Sequence, residues 1–84
     1  MTKDEIKINV LNELKSIAPE LEGVDIDPDV NFRDQFDFDS VNFLSLALAL
    51  EKKLGIRIPE IDYPKLSNLT GGLNYIKSKL EVTN

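Results

Sequence analysis

The segment of residues 41 to 54, which contains the longest apolar run of the chain, decides between a helical fold and a sheet. Its central letters, LSLALAL, alternate leucine with a smaller residue, a pattern that a half-buried strand also shows. Leucine and alanine are strong helix formers, however, and β-branched residues are absent from these letters. The pattern also continues through EKKL to Gly55, and glycine commonly follows the end of a helix. The segment therefore predicts a helix.

This helix is expected to have two apolar rows. The first row faces the core and consists of Phe43, Leu46, Ala47, Leu50 and Leu54. The second row is turned partly away from the core and consists of Val41, Leu44 and Leu48. A surface that only meets water does not need three large apolar side chains, so the second row predicts a contact with another protein.

A first helix is indicated near the start of the chain. Thr2 and Glu5 have the spacing of a capping box, and Pro19 marks the end of the helix that follows them. The core-facing positions of this helix recur at helical spacing and are Ile6, Val10, Leu14 and Ile17.

The last helix is expected to begin near Asn68 or Thr70, with Leu69, Leu73, Ile76 and Leu80 on its core face. Gly71 and Gly72 fall in its first turn, which indicates either close approach by another group or a weaker helix start. The connection before it, GIRIPEIDYPKL, contains two prolines, each placed where it could begin a short helical turn.

Residues 19 to 39 lack a sustained period and are expected to form a long loop. Val30, Phe32 and Phe36 are expected to hold this loop against the core. The sequence thus predicts an all-α fold in one domain, residues 1–84: a small four-helix bundle whose third helix is short, with a long loop between helices 1 and 2.

The absence of His and Cys limits the chemistry of the chain. Without Cys there is no disulfide or thiolate metal site, and without His there is no Ser-His-Asp hydrolase. A reaction at Ser40 must therefore use a catalyst from another protein. The N-terminal MTKDEIKINV lacks the apolar core of a signal peptide, and residues 41–50 are too few to cross a bilayer, so a cytoplasmic protein without a membrane contact is expected.

The net charge of −5 is concentrated before Ser40, since residues 20–39 hold eight acids and the single base Arg33. Such a segment repels phosphate backbones, which makes nucleic acid an improbable ligand and a basic protein surface a plausible one. The aspartates at 25, 27 and 29 begin like a calcium loop, but Val30 stands where the loop needs Gly and Phe36 where it needs Glu. No metal site is predicted, and a small acidic metal-binding protein is a disfavoured alternative.

Ser40 stands between Asp39 and the apolar helix. Either residue could accept a hydrogen bond from the first amides of that helix, so the dipeptide alone predicts no more than a helix cap.

The longer span from Phe36 to Ile76 resembles the acyl carrier proteins. The resemblance rests on Asp39-Ser40-Val41, followed by FLSLALALEKKLGIRIPE, a short turn and LTGGLNYI. Members of this family are small acidic four-helix domains that carry acyl groups as thioesters on 4′-phosphopantetheine attached to a serine. The resemblance implies a monomeric, non-catalytic carrier for acyl-transferring or synthase enzymes of fatty-acid, polyketide or related acyl metabolism.

The resemblance also assigns residues. Ser40 would be attached to 4′-phosphopantetheine by a separate phosphopantetheinyl transferase that uses coenzyme A and magnesium, and Asp39 would help that transferase engage. Partner enzymes would contact Asp37, Val41, Leu44, Leu48, Glu51 and Ile61. The acyl chain would be lined by Phe43, Leu46, Leu54, Ile58, Tyr63, Leu66 and Tyr75.

The chain departs from the family pattern at two places. Asp37 stands where the family usually has Gly. The helix after Ser40 keeps only Glu51 of the usual acids and has Asn42, Ser45, Lys52 and Lys53 in place of others. These departures favour a specialised carrier over the housekeeping one. Two alternatives stay open: an acidic helical interaction module that is never modified, and an aminoacyl carrier of a nonribosomal pathway, whose motif usually has a Gly-rich approach.

Overall fold

The structure, a computed structural model, describes residues 1–82. These residues form α1 (Lys3–Ile17), α2 (Phe32–Gln35), α3 (Ser40–Leu54) and α4 (Leu69–Val82), together with a 3-10 turn at Pro19–Leu21 and a 3-10 helix at Glu60–Leu66. No strand occurs among them. The predicted all-α four-helix arrangement is confirmed: its members are α1, α3, the 3-10 helix at Glu60–Leu66, which is the short third helix, and α4. The single turn of α2 lies in the segment between the first two members. No helix in the described part is long and apolar enough to cross a membrane.

The first helix begins and ends as its sequence predicts. The Thr2 hydroxyl accepts a hydrogen bond from the Glu5 amide at 3.2 Å, and the Glu5 carboxylate accepts one from the Thr2 amide at 2.8 Å. These two bonds satisfy amides that have no partner within the helix. The core face of α1 consists of Ile6, Val10 and Leu14.

The helical interpretation of the apolar segment is confirmed in α3. Gly55 follows it with φ +67°, a left-handed conformation that glycine adopts without steric cost. Three residues of the first row are buried, namely Leu46, Ala47 and Leu50. All three members of the second row are exposed.

The segment between α1 and α3 is more ordered than the predicted loop. Phe32 is 1% exposed, as expected of a residue that holds the segment, and Phe36 is partly buried. Val30 was expected to do the same, but this prediction is wrong, because its side chain is 36% exposed on a turn that precedes α2. Phe38, which the apolar periodicity does not single out, is 4% exposed and belongs to the core.

Hydrogen bonds attach this segment to the start of α4. The Phe32 amide donates to the Ser67 carbonyl at 2.8 Å, and the Thr70 amide donates to the Pro28 carbonyl at 3.0 Å. The Gln35 side chain bonds the backbone of the same segment, donating to the carbonyls of Asp27 and Val30. These contacts hold the segment that leads into α3.

The start of α4 explains one of its two glycines. The Gly71 amide donates to Asn68 Oδ1 at 2.7 Å, so Asn68 caps the helix, whereas the Thr70 hydroxyl donates to Asp29 Oδ1 at 2.8 Å. The close approach is therefore at Gly71, where the cap and the preceding backbone leave no room for a side chain.

Alanine at these two glycines is expected to change stability in opposite directions. A β-carbon at Gly71 would lie 2.9 Å from Asn68 Oδ1 and 3.0 Å from the Lys65 carbonyl oxygen, whereas one at Gly72 would meet Leu66 Cδ2 at an ordinary 3.8 Å. We expect Gly72→Ala to raise the free energy of unfolding by about 0.5–1 kcal/mol and Gly71→Ala to lower it. Urea unfolding followed by circular dichroism measures both changes. A gain for both variants would contradict the crowding at Gly71.

Candidate functional site

Ser40 is the first residue of α3, and its cap is Asp39. Asp39 Oδ1 accepts a hydrogen bond from the Asn42 amide, and Asn42 Oδ1 accepts one from the Asp39 amide, both at 2.9 Å. Asp39 is thus the capping residue of the two that the sequence offered. Ser40 is exposed, and its hydroxyl makes no hydrogen bond to any residue of the described part.

Asn42 is the partner that completes this cap. The sequence marks it only as a departure from an acidic helix surface, whereas the structure shows that its amide group fixes the backbone of Asp39. The reciprocal pair holds the turn in which Ser40 is presented.

A cluster of aromatic rings supports the turn from the core side. The Phe38 ring packs edge-on against Phe43 with centroids 4.8 Å apart, one residue before the cap and four residues after it. This spacing is that of a hydrophobic staple, which sets the angle at which the chain enters a helix. Phe32 and Phe36 each lie 5.6 Å from Phe38, centroid to centroid. The backbone around Ser40 is therefore held while its hydroxyl stays accessible.

Two clefts open beside Ser40. One, of about 340 Å³, lies between α3 and the 3-10 helix and is lined by Asn31, Arg33, Ser40, Phe43, Tyr63, Pro64 and Ser67. The other, of about 310 Å³, is lined by Ser40, Val41, Leu44, Glu60 and Tyr63. Ser40 and Tyr63 belong to both, so a group attached to Ser40 could enter either cleft.

The residues predicted to meet partner enzymes are mostly exposed. The exposed fractions are 67% for Val41, 45% for Leu44, 54% for Leu48 and 85% for Ile61. Asp37 is exposed as well. Glu51 differs, because its side chain is partly buried and Oε2 accepts a hydrogen bond from the Ile58 amide at 3.1 Å. Glu51 therefore braces the chain after α3, and its contact with a partner stays a prediction.

The residues predicted to line an acyl chain are not brought together in one cleft. Phe43 and Tyr63 line the 340 Å³ cleft beside Ser40. Leu46, Ile58 and Leu66 are at most 3% exposed and lie in the core, and Leu54 packs partly buried against it. Tyr75 lines a separate cleft of about 530 Å³. A role for the whole set in holding an acyl chain stays a prediction.

Tyr75 has a local structural partner. Its hydroxyl donates to Asp62 Oδ2 at 2.7 Å, and Lys65 Nζ lies 3.5 Å from Asp62 Oδ1. The hydrogen bond from Tyr75 lowers the pKa of Asp62, with a further contribution from the Lys65 charge. Burial raises the pKa of Tyr75, and the Asp62 carboxylate raises it further. The pair ties α4 to the 3-10 helix.

Tyr75→Phe is expected to return the pKa of Asp62 toward its ordinary value. A carboxylate whose pKa is lowered in the folded state stabilises the fold at pH values above its ordinary pKa. That stabilisation is lost as the pH falls through the lowered pKa. The variant should therefore be less stable than the wild type at neutral pH, and the difference should shrink as Asp62 is protonated. Carboxyl-carbon NMR titration measures the pKa directly. Tyr63→Phe is the matched control, because the Tyr63 hydroxyl has no hydrogen bond within residues 1–82. An equal effect of both variants on the Asp62 pKa would contradict the role of the Tyr75 hydrogen bond.

The described residues contain no group of three or more carboxylates placed to hold a metal ion. In the acidic segment, Asp27 Oδ1 accepts a hydrogen bond from the Asp29 amide at 3.0 Å, and Asp29 Oδ1 accepts one from the Thr70 hydroxyl. These carboxylates therefore take part in the loop and its attachment to α4.

The sequence of the chain is similar to a known protein family and to several curated proteins. A family model described as "Phosphopantetheine attachment site" matches residues 12–71, which include the whole of α3. A curated acyl carrier protein of Lactobacillus johnsonii is 35% identical over 81 residues, or 93% of this chain and 96% of the relative. Another, of Chloroherpeton thalassium, is 35% identical over 82 residues, or 94% of this chain and 98% of the relative. No solved structure matches.

The residues at the start of α3 fit such an attachment. An alkyl hydroxyl that is exposed and free of hydrogen bonds can be joined to a phosphate without disturbing the fold, and Ser40 has both properties. The two adjoining clefts leave space for a chain attached there. On this geometry, the family match and the relatives that cover most of its length, the chain belongs to the acyl carrier protein family.

Proposed function

We propose that Ser40 carries the 4′-phosphopantetheine arm and that the protein delivers acyl groups, bound to that arm as thioesters, to acyl-transferring or synthase enzymes. The observation that carries the proposal is the exposed, unbonded Ser40 hydroxyl at the first position of α3, inside the matched attachment domain. When bound, the arm supplies the thiol that forms the thioester. The protein itself catalyses no step in this role.

Attachment joins Ser40 to a phosphate of coenzyme A. The Ser40 Oγ loses its proton and bonds to the phosphorus next to the pantetheine, the pyrophosphate P–O bond breaks, and adenosine 3′,5′-bisphosphate leaves. The chain has no His or Cys to remove the proton, so the base belongs to a phosphopantetheinyl transferase. Asp39, exposed at the cap, is the residue that we propose the transferase recognises, and its bonds to Asn42 present Ser40 in a fixed position.

A flexible arm anchored at a rigid helix start suits a carrier. An attached group is confined near any enzyme that binds the protein, so its effective concentration there is far above that of a free acyl group. Ser40 is held in position because Asp39, just before it, bonds to Asn42, and the Phe38 ring packs on Phe43.

The test is the mass of the intact protein after incubation with a broad-specificity transferase, coenzyme A and magnesium. We expect the gain of one phosphopantetheinyl group. Trypsin cuts after Arg33 and Lys52, which leaves Ser40 and Ser45 on one peptide of residues 34–52, and fragmentation of that peptide should place the group on Ser40. A protein that gains no mass would instead support the unmodified interaction module. An amino acid thioester on protein taken from its own cells would support the aminoacyl carrier.

We further propose that the exposed row on α3 docks partner enzymes. Val41 and Leu44 line a cleft with Ser40, where a partner must bind to reach the arm. Leu48, further along α3, and Ile61, on the 3-10 helix, add exposed apolar side chains. Asp37 adds a negative charge next to the cap, which favours a partner with a basic residue there. The cytoplasmic location and the monomeric state expected from the sequence stay predictions.

Leu44→Glu is expected to weaken docking without unfolding the protein. A charge at the centre of an apolar contact removes roughly 1–2 kcal/mol of binding free energy, or about 5–30-fold in kcat/KM of an acyl-transferring enzyme that uses the loaded protein. Because Leu44 is 45% exposed, the urea unfolding midpoint should change little. Ser45→Glu places the same charge on the neighbouring exposed position and is the control. Equal losses for both variants would indicate a general charge effect and contradict docking on this row.

A further inference from the structure

A phosphodiester on Ser40 would stand in acidic surroundings. Asp37 and Asp39 line one cleft at this end of α3, of about 400 Å³, and Glu60 lines another. The cap of the helix is already a carboxylate, since Asp39 accepts the Asn42 amide. The Asp39 carboxylate therefore already neutralises part of the positive partial charge that the N-terminus of α3 would offer to an anion. A further negative charge at Ser40 needs a positive group nearby.

Arg33 is the single base among the residues that line the three clefts at this end of α3. It lines the cleft that contains Ser40 and also the cleft that contains Asp37 and Asp39. Arg33, on α2, and Ser40, on α3, therefore border the same cleft.

The guanidinium of Arg33 has no partner within residues 1–82, although the segment around it is strongly acidic. None of the ion pairs formed there includes Arg33, and its side chain makes no hydrogen bond. An arginine placed among carboxylates but bonded to none of them keeps all five N–H donors available.

The backbone of Arg33 is nevertheless fixed. The preceding Phe32 is 1% exposed, and its amide donates to the Ser67 carbonyl. The Phe36 amide donates to the Phe32 carbonyl at 3.0 Å and closes α2. A fixed backbone with a free, planar guanidinium is suited to binding a phosphate through two parallel hydrogen bonds.

We infer that Arg33 binds the phosphodiester formed at Ser40 and so positions the base of the arm in the 340 Å³ cleft. This inference rests on the proposed attachment at Ser40. Asn31 and Ser67, which line the same cleft, provide further polar groups along its wall. Arg33 is a positioning residue here, because it contacts the linkage and not the thioester.

The chain offers its own control, because it has two arginines, Arg33 and Arg57. Arg57 lines the cleft with Tyr75 and is absent from the linings of both clefts that contain Ser40. In ¹⁵N-labelled protein, we expect the Nε–Hε signal of Arg33 to move between the unloaded and the fully loaded forms and that of Arg57 to stay. The ³¹P signal of the loaded protein should move in Arg33→Gln and not in Arg57→Gln.

Two measurements separate the possible failures. Intact mass establishes loading first, and a wild-type protein that gains no mass would contradict the proposed attachment itself. In the other outcome, the wild type is fully loaded while the Arg33 signal does not move and both variants have the ³¹P signal of the wild type. The attachment at Ser40 then stands, and the inferred role of Arg33 is wrong. Backbone amide spectra of unloaded Arg33→Gln should match those of the wild type, because Arg33 is exposed and unbonded. A spectrum changed throughout would instead assign Arg33 a structural role.

Discussion

Ser40→Ala is expected to abolish the gain of mass on incubation with transferase, coenzyme A and magnesium. The substitution removes the oxygen that forms the phosphodiester, and no neighbouring side chain can replace it, because Asp39 is engaged in the cap and Val41 is apolar. The fold should be unaffected, since the Ser40 hydroxyl makes no hydrogen bond within the described residues and alanine is a good helix former. Far-UV circular dichroism and the urea midpoint check the fold in the same samples.

Ser45→Ala is the matched control for this experiment. Ser45 is also an exposed serine of α3, but it lies in the body of the helix rather than at its first position. We expect Ser45→Ala to be loaded like the wild type. Loading of Ser40→Ala, or loss of loading in Ser45→Ala alone, would show that the attachment residue has been misassigned.

The helices could be predicted from the sequence because their signals are local. The capping box at Thr2 and the glycine after α3 each act within a few residues, and both were found where the spacing placed them. The alternating LSLALAL became a helix because the intrinsic preference of leucine and alanine agrees with the core stripe that contains Leu46 and Leu50.

The segment before α3 was harder to predict because its order comes from distant partners. Phe32 is held by the Ser67 carbonyl, which is 35 positions away in the chain, and no local period announces that bond. Val30 is apolar like Phe32 and Phe36 but lies exposed at a turn, so hydrophobicity alone misplaced it. Phe38 had a usable local signal, its staple spacing to Phe43 across the cap.

Within the site, the sequence predicted attachment at Ser40 and offered Asp39 and Ser40 as possible caps, but it did not predict the groups around them. The role of Asn42 follows from the capping-box spacing and could have been predicted from Asp39. Arg33 could not, because its position in the Ser40 cleft depends on where the fold places α2 relative to α3 and the 3-10 helix. The bond between Tyr75 and Asp62 likewise joins two elements whose relative placement no local pattern defines.

Phe32→Ala is expected to be the most destabilising single substitution considered for this protein. Its ring lies 5.6 Å from those of Phe36 and Phe38 and 6.4 Å from that of Phe43, centroid to centroid. Truncating a buried phenylalanine typically costs about 3–5 kcal/mol, while native proteins are stable by only about 5–15 kcal/mol and small ones lie toward the lower end. Much of the folded population should therefore be lost, as measured by the midpoint of urea unfolding.

Phe36→Ala provides the comparison that separates burial from ring contacts. Phe36 belongs to the same cluster but is only partly buried, so its truncation leaves a smaller cavity that water can enter, and the loss should be clearly smaller. If the two variants are equally stable, Phe32 is not the centre of the cluster. Because the cluster also fixes the entry into α3, Phe32→Ala should slow the loading of Ser40 even in the fraction that stays folded.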